Sequence, residues 1–347
     1  MLDEYKIGAY RGLKDLELRK LKKVNAFVGP NNCGKTSILE AIILSGLFND
    51  AELLMDALIS RYHKFAPELF ESLFPISQDP VISLMSKINN DERILDTQLT
   101  YQKEQFISKD GNGESSDVFE LRFDYSYGGD ENPHDYFRIR FEDTPEGYRV
   151  GMGTAKDNKL NIRIPCRFIS FSRFDRSGQF LKDLDEVLNQ NLRQELIEIL
   201  QIFDERIINF EIIGAKRIIK LFRTGEEKHL TLYDYGNGMY KAFYIAMSAL
   251  LARNGILLID EVEAGIHNKA LELFLSKLLY ICDKNHIQLF FTTHSLEAID
   301  ILLKDCRQSL DDIVFYHIKY SQNHSVANRY SGEKLLNLRN EIGFDVR

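Results

Sequence analysis

An α/β fold is predicted for this chain by three observations. One apolar strand runs straight into a glycine-rich loop and a helix, a second ends in two adjacent carboxylates, and a third ends in Thr-Thr-His-Ser. Strands that are apolar throughout belong to parallel sheets covered on both faces, and the helical runs between them supply the covers. With 347 residues, 44% of them hydrophobic and 28% charged, the chain can bury a sizeable core without staples. Cys33, Cys166, Cys282 and Cys306 lack C-x-x-C spacing, which fits reduced thiols rather than disulfides or zinc.

Short strands at Tyr5 to Ile7 and Leu16 to Leu18 flank Tyr10-Arg11-Gly12. The first apolar strand (Val24, Ala26, Phe27, Val28) then leads into Gly29-Pro30-Asn31-Asn32-Cys33-Gly34-Lys35-Thr36, a full G-x-x-x-x-G-K-T, and a helix begins at Ser37 and Ile38. In this setting the glycines let backbone N–H groups curl around phosphate oxygens, and the helix N-terminus adds partial positive charge. Lys35 is expected to reach the β- and γ-phosphates of ATP, and Thr36 to ligate Mg²⁺. Gly29, Asn32, Gly34 and Ser37 complete the expected nucleotide-binding set, with Cys33 a small residue that fits the turn.

Residues 1–46 form this phosphate-loop part, and residues 47–107 are expected to be a helical insertion, from Leu53, Leu54, Ala57, Leu58 and then Leu69, Phe70, Leu73, Phe74. A turn-rich break at 108–116 follows. Residues 117–175 carry strand patterning (Val118, Phe119, Leu121, Phe123, Tyr125; Tyr136, Phe137, Ile139, Phe141; Phe168 to Phe171) and are expected to be a β-rich lobe. Helices resume near Phe180, so 176–347 reads as a helical lobe that returns to α/β.

Ile256-Leu257-Leu258-Ile259-Asp260-Glu261 is the Walker B pattern. Asp260 is expected to hold Mg²⁺, and Glu261 to polarise the attacking water as general base. The strand Ile287 to Phe291 ends in Thr292-Thr293-His294-Ser295, where His294 can donate a hydrogen bond to the γ-phosphate. Upstream, Tyr235-Gly236-Asn237-Gly238-Met239 opens a helix and makes a second anion-binding N-terminus. Gly236, Asn237 and Gly238 add little for the same phosphate tail unless they serve a second subunit's nucleotide.

The order of these motifs resembles the ABC-type ATPase head of the SMC, RecF and OLD families. It is most similar to compact OLD-like ATPases of bacterial anti-phage modules such as PARIS, Septu and certain retrons. The likeness includes Tyr10-Arg11-Gly12 and the final Glu-Ile-Gly-Phe-Asp-Val-Arg347. It implies head-to-tail homodimers, or higher homo-oligomers, with ATP sandwiched between one subunit's Walker motifs and the other's signature. The signature lacks a transporter's serine, and the Q-loop glutamine is open between Gln179 and Gln78. Only about 50 residues follow His294, fewer than the nuclease domain of OLD proteins needs, so the compact form is expected.

The resemblance therefore implies a Mg²⁺-dependent ATPase that gates a separately encoded effector in a defence complex. The alternative is a RecF-like repair ATPase that clamps DNA. Net charge is −8, so DNA contact would be local, at Arg19-Lys20-Leu21-Lys22-Lys23 or at Lys216, Arg217, Lys220 and Arg223. With no apolar run long enough to span a bilayer and no basic leader, a cytoplasmic protein with no membrane contact is expected.

Overall fold

The computed structural model describes residues 1–45, 73, 81–88, 94–107, 115–127, 135–144, 147–154, 164–170, 179–214, 217–227, 229–305, 310–321 and 324–346. The chain opens with β1 (Leu2–Tyr10), β2 (Leu13–Arg19), β3 (Val24–Val28) and α1 (Lys35–Leu44). Five strands follow: β4 (Val81–Ile88), β5 (Ile94–Ile107), β6 (Ser115–Tyr127), β7 (Asp135–Thr144) and β8 (Gly147–Thr154). Next come β9 (Cys166–Ile169), α2 (Gln179–Asn189), α3 (Arg193–Gln201), β10 (Ile207–Ile213), β11 (Ile218–Arg223) and β12 (Leu230–Thr231). The last part runs through α4 (Asn237–Leu251), β13 (Ile256–Ile259), α5 (Asn268–Lys284), β14 (Gln288–Thr292), α6 (Leu296–Asp305), β15 (Ile313–Ser321), β16 (His324–Ser331) and α7 (Gly332–Ile342).

These elements form two compact units, one of residues 1–21, 31–163 and 318–327, the other of 22–30, 164–317 and 328–347. The first holds a seven-stranded sheet in the order β2-β1-β4-β5-β6-β7-β8, antiparallel throughout. This corrects the expected helical insertion, because residues 81–107 carry β4 and β5. The physical reason is a period of two: Ile82, Leu84, Ser86 and Ile88 are buried while Ser83 and Met85 between them are exposed. Apart from Leu73, the rest of the 47–80 interval lies outside the described residues.

In the same unit, α1 is buried nearly all round. Tyr5 Oη donates to the Ala41 carbonyl, and the wholly buried Glu40 carboxylate accepts from Tyr10 Oη at 3.1 Å and pairs with Arg11 Nε at 3.1 Å. Removing one partner of a buried ion pair strands the other charge, at about 3–5 kcal/mol. Glu40→Ala is therefore expected to lower the stability of this unit by that order in urea unfolding. A loss below about 1 kcal/mol would show that the pair is not what anchors α1.

The second unit holds the six-stranded sheet β16-β15-β3-β14-β13-β9, in which β15, β3, β14, β13 and β9 run parallel to one another. β13 is flanked on both sides and every residue of it is buried, as its unbroken apolar run requires. β9 lies on this sheet's edge, so the β-rich lobe expected over 117–175 ends before Cys166. Four residues of strand do not reveal which sheet they join. Helix α4 is apolar on almost every side and sits within the core with Leu257, Ile259, Phe274 and Phe291. Among the described residues, no helix is long and apolar enough to cross a membrane.

Candidate functional site

The carboxyl ends of adjacent parallel strands are where open α/β sheets build their sites. Here β3 runs into Gly29, its neighbour β14 into Thr293 and His294, and the next strand β13 into Asp260 and Glu261. Backbone bonds stitch these ends together: Thr293 N–H donates to the Phe27 carbonyl at 3.1 Å, and Val262 N–H to the Thr292 carbonyl at 3.1 Å. The sequence-predicted residues Gly29, Asp260, Glu261 and His294 thus share one edge of one sheet.

The phosphate loop has the backbone that its composition demands. Gly29, Asn32 and Gly34 all have positive φ (139°, 60° and 98°), which curls successive N–H groups inward. A Cβ on Gly34 would also lie 2.5 Å from Leu13 Cδ2, so that side-chain end would have to shift. Lys35 is buried with its Nζ 3.7 Å from Cys33 Sγ, Ser37 is buried, and Thr36 is partly exposed.

Asp260 is buried, and Thr292 Oγ1 donates to its Oδ1 at 2.7 Å. The same Thr292 Oγ1 accepts the Glu261 N–H at 2.8 Å. Glu261 itself has φ of 51°, a left-handed conformation that costs a non-glycine residue roughly 1–3 kcal/mol and marks sites where geometry is imposed from outside. Lys241 Nζ donates to its carbonyl oxygen. Glu263 Oε1 accepts the His294 N–H at 2.7 Å, which ties the turn after β13 to the end of β14.

Lys241 and Glu263 were not singled out from the sequence. Lys241 interrupts the apolar run Met239-Tyr240-Lys241-Ala242-Phe243 on α4, and that interruption was the available signal. It is only 1% exposed, and burial pushes its pKa down to about 8 even though Glu263, Glu261 and Asp260 pull it upward.

At the second glycine-rich segment, Gly236 has φ of 88° and caps α4, while Gly236 and Asn237 are exposed. A Cβ on Gly238 would fall 2.3 Å from the Gly265 carbonyl oxygen, so this helix start can rest on the turn after β13 only as glycine. Tyr235 Oη donates to Asp204 at 2.9 Å. Arg206 above all, with Tyr235, holds the Asp204 carboxyl well below the usual range. His267 caps α5, its ring accepting from the Lys269 N–H at 3.4 Å.

Gln179 opens α2 and donates to Asp183 at 2.8 Å, an intrahelical bond, while Gln78 lies outside the described residues. In each basic run two cations are paired with acids. Arg19 pairs with Glu17, and Lys23 with Asp283 at 3.3 Å and Asp312 at 3.0 Å. Arg217 pairs with Asp185 and Arg223 with Glu226, and Lys216 lies outside the described residues.

Comparison with known proteins gives a consistent picture. The family model described as "AAA domain, putative AbiEii toxin, Type IV TA system" matches residues 24–300. A Helicobacter pylori protein described as an ATP/GTP phosphatase is 24% identical over 367 residues, covering 96% of this chain and 97% of the relative. An uncharacterized Methanocaldococcus jannaschii protein is 34% identical over 113 residues, 32% of this chain and 98% of the relative. Among solved structures, an Smc head bound to the C-winged helix domain of ScpA superposes with a TM-score of 0.50 at 14% identity, covering 97% of this chain and 99% of that one, a likeness of fold.

Proposed function

The chain belongs to that AAA-domain family of P-loop ATPases, and from this premise we propose that it couples Mg²⁺-dependent ATP hydrolysis to the control of a separately encoded effector protein. The observation that carries the hydrolytic part is the shared sheet edge. There a buried Asp260 and a backbone-clamped Glu261 stand beside His294 and the start of the phosphate loop. Backbone N–H groups at Gly29, Asn32 and Gly34 cradle the phosphates, Lys35 neutralises them, and Ser37 extends the donor set. Thr36 and Asp260 would hold Mg²⁺, which would offset the negative charge of the phosphates. A hard cation of this kind needs only one or two protein oxygens besides the phosphates. Glu261 takes the proton of the attacking water, and His294 donates to the γ-phosphate.

We further infer that Gly236, Asn237 and Gly238 meet the nucleotide of a second copy in a head-to-tail homodimer or higher homo-oligomer. The exposure of Gly236 and Asn237 at a helix N-terminus supports this. The Glu261→Gln protein is then expected to self-associate with ATP but not with ADP. Adding Gly238→Ala, whose Cβ must displace the Gly265 turn, is expected to abolish that gain. Light scattering reads both, and an unchanged mass with ATP in the Glu261→Gln protein would remove the composite site.

The effector reading, a nuclease or toxin within a prokaryotic anti-phage defence complex, draws on the family description, which names a toxin–antitoxin system. The pairing of Lys23, Arg217 and Arg223 with acids lowers the positive charge that these runs offer to DNA, the contact on which the RecF-like alternative rests. The test is co-purification with the products of neighbouring genes. Capture of an effector whose activity changes when Lys35 or Glu261 is altered supports the reading; strong nuclease activity from the purified chain alone contradicts it.

A further inference from the structure

A lysine with 1% exposure on a helix that is otherwise almost wholly apolar calls for an explanation, because a methionine would fill the same space without an ammonium to desolvate. Its position supplies one. Lys241 Nζ donates to the Glu261 carbonyl oxygen, on the far side of the Glu261 Cα from the N–H that Thr292 Oγ1 accepts at 2.8 Å. The next N–H, of Val262, donates to the Thr292 carbonyl at 3.1 Å. Both peptides of Glu261 are therefore held, and between them the residue keeps a φ of 51° that glutamate rarely adopts. Without the hold on the carbonyl side, that backbone would relax toward an ordinary conformation and turn its side chain away.

Charge points the same way. Asp260, Glu261 and Glu263 gather within electrostatic reach of the Lys241 ammonium. Glu263 Oε2 is buried with no hydrogen-bond partner among the described residues, while its Oε1 anchors the His294 N–H. One buried cation thus offsets the carboxylates on which the ends of both β13 and β14 depend.

We propose that Lys241 is a positioning residue for hydrolysis, its ammonium holding the Glu261 peptide in the left-handed conformation that aims the carboxylate at water. This rests on Glu261 being the general base. It makes the helix that begins at Gly236–Gly238, where Gly236 and Asn237 are exposed, a direct regulator of that base, because the same α4 carries both. A displacement of α4 at its start, Asn237, would be felt four residues later at Lys241 and through it at the Glu261 carbonyl.

The test is Lys241→Met, measured by single-turnover hydrolysis and by titration with a fluorescent ATP analogue. The rate is expected to fall by at least about tenfold while nucleotide affinity stays within about threefold, since a reacting group out of place loses rate rather than binding. Lys241→Arg is expected to recover most of the rate. In a Glu261→Gln background, Lys241→Met is expected to cost nothing further, because its effect passes through the residue already disabled. A folded Lys241→Met protein within about threefold of the wild-type rate, or an equal loss in the Glu261→Gln background, would overturn the assignment. If the Met variant does not fold, Lys241→Gln, which keeps a polar tip too short to reach the carbonyl, carries the same test with the same two outcomes. The Glu261→Gln arm separates the premises: wild-type turnover there removes the base itself, whereas an inactive Glu261→Gln beside a silent Lys241→Met removes only the clamp.

Discussion

Glu261→Gln is expected to bind ATP about as tightly as the wild type and to hydrolyse it roughly 10²–10⁴-fold more slowly, the span that a positioned general base supplies. Gln keeps the length and shape of the side chain and alters none of the backbone bonds that fix residue 261, which are the Thr292 hydroxyl on its N–H and the Lys241 ammonium on its carbonyl. Only the capacity to take a proton is lost. A drop in rate accompanied by a large drop in affinity would indicate a disturbed metal or phosphate site instead, since Asp260 is the neighbouring residue and shares the Thr292 hydroxyl.

Lys35→Ala is expected to act on binding. Its ammonium lies buried within the loop, beside Cys33 Sγ, at the first turn of α1. A charge-assisted hydrogen bond contributes about 1.5–3 kcal/mol, and about 1.4 kcal/mol is a tenfold change in a dissociation constant, so ATP affinity should fall by tenfold or more. Calorimetric titration with ATP in the presence of Mg²⁺ measures it. Affinity within about threefold of the wild type would mean that the loop backbone alone carries the phosphates.

The parts of this site that could be read from the sequence are those whose chemistry restricts composition. A phosphate loop needs glycine where φ is positive, and Gly29 and Gly34 are there. Strands buried on both faces become apolar runs, unbroken in Ile256–Ile259 and kept through Leu289, Phe290 and Phe291 in its neighbour Gln288–Thr292. What escaped depends on distant partners. The alternation in β4 and β5 was present, as in Leu95, Thr97, Leu99 and Tyr101, but the leucine-rich stretch before it favoured a helical reading of the whole interval. The place of β9 in the ATPase sheet rests on its pairing with β13, which four residues cannot announce. Nothing in the side chain of Glu261 foretells a left-handed backbone, because that conformation is imposed by Thr292 and Lys241 from elsewhere in the chain. Lys241 was legible only as an oddity, one charge inside an apolar helix. Its meaning required the fold that brings α4 beneath the end of β13.

The most direct test of ATP hydrolysis at this sheet edge is the nucleotide recovered with the protein after incubation with ATP and Mg²⁺ and rapid removal of the free nucleotide. The wild-type chain is expected to release phosphate and retain ADP or nothing, and the Glu261→Gln chain to carry intact ATP. A folded Glu261→Gln protein that releases phosphate at the wild-type rate and carries ADP would contradict it.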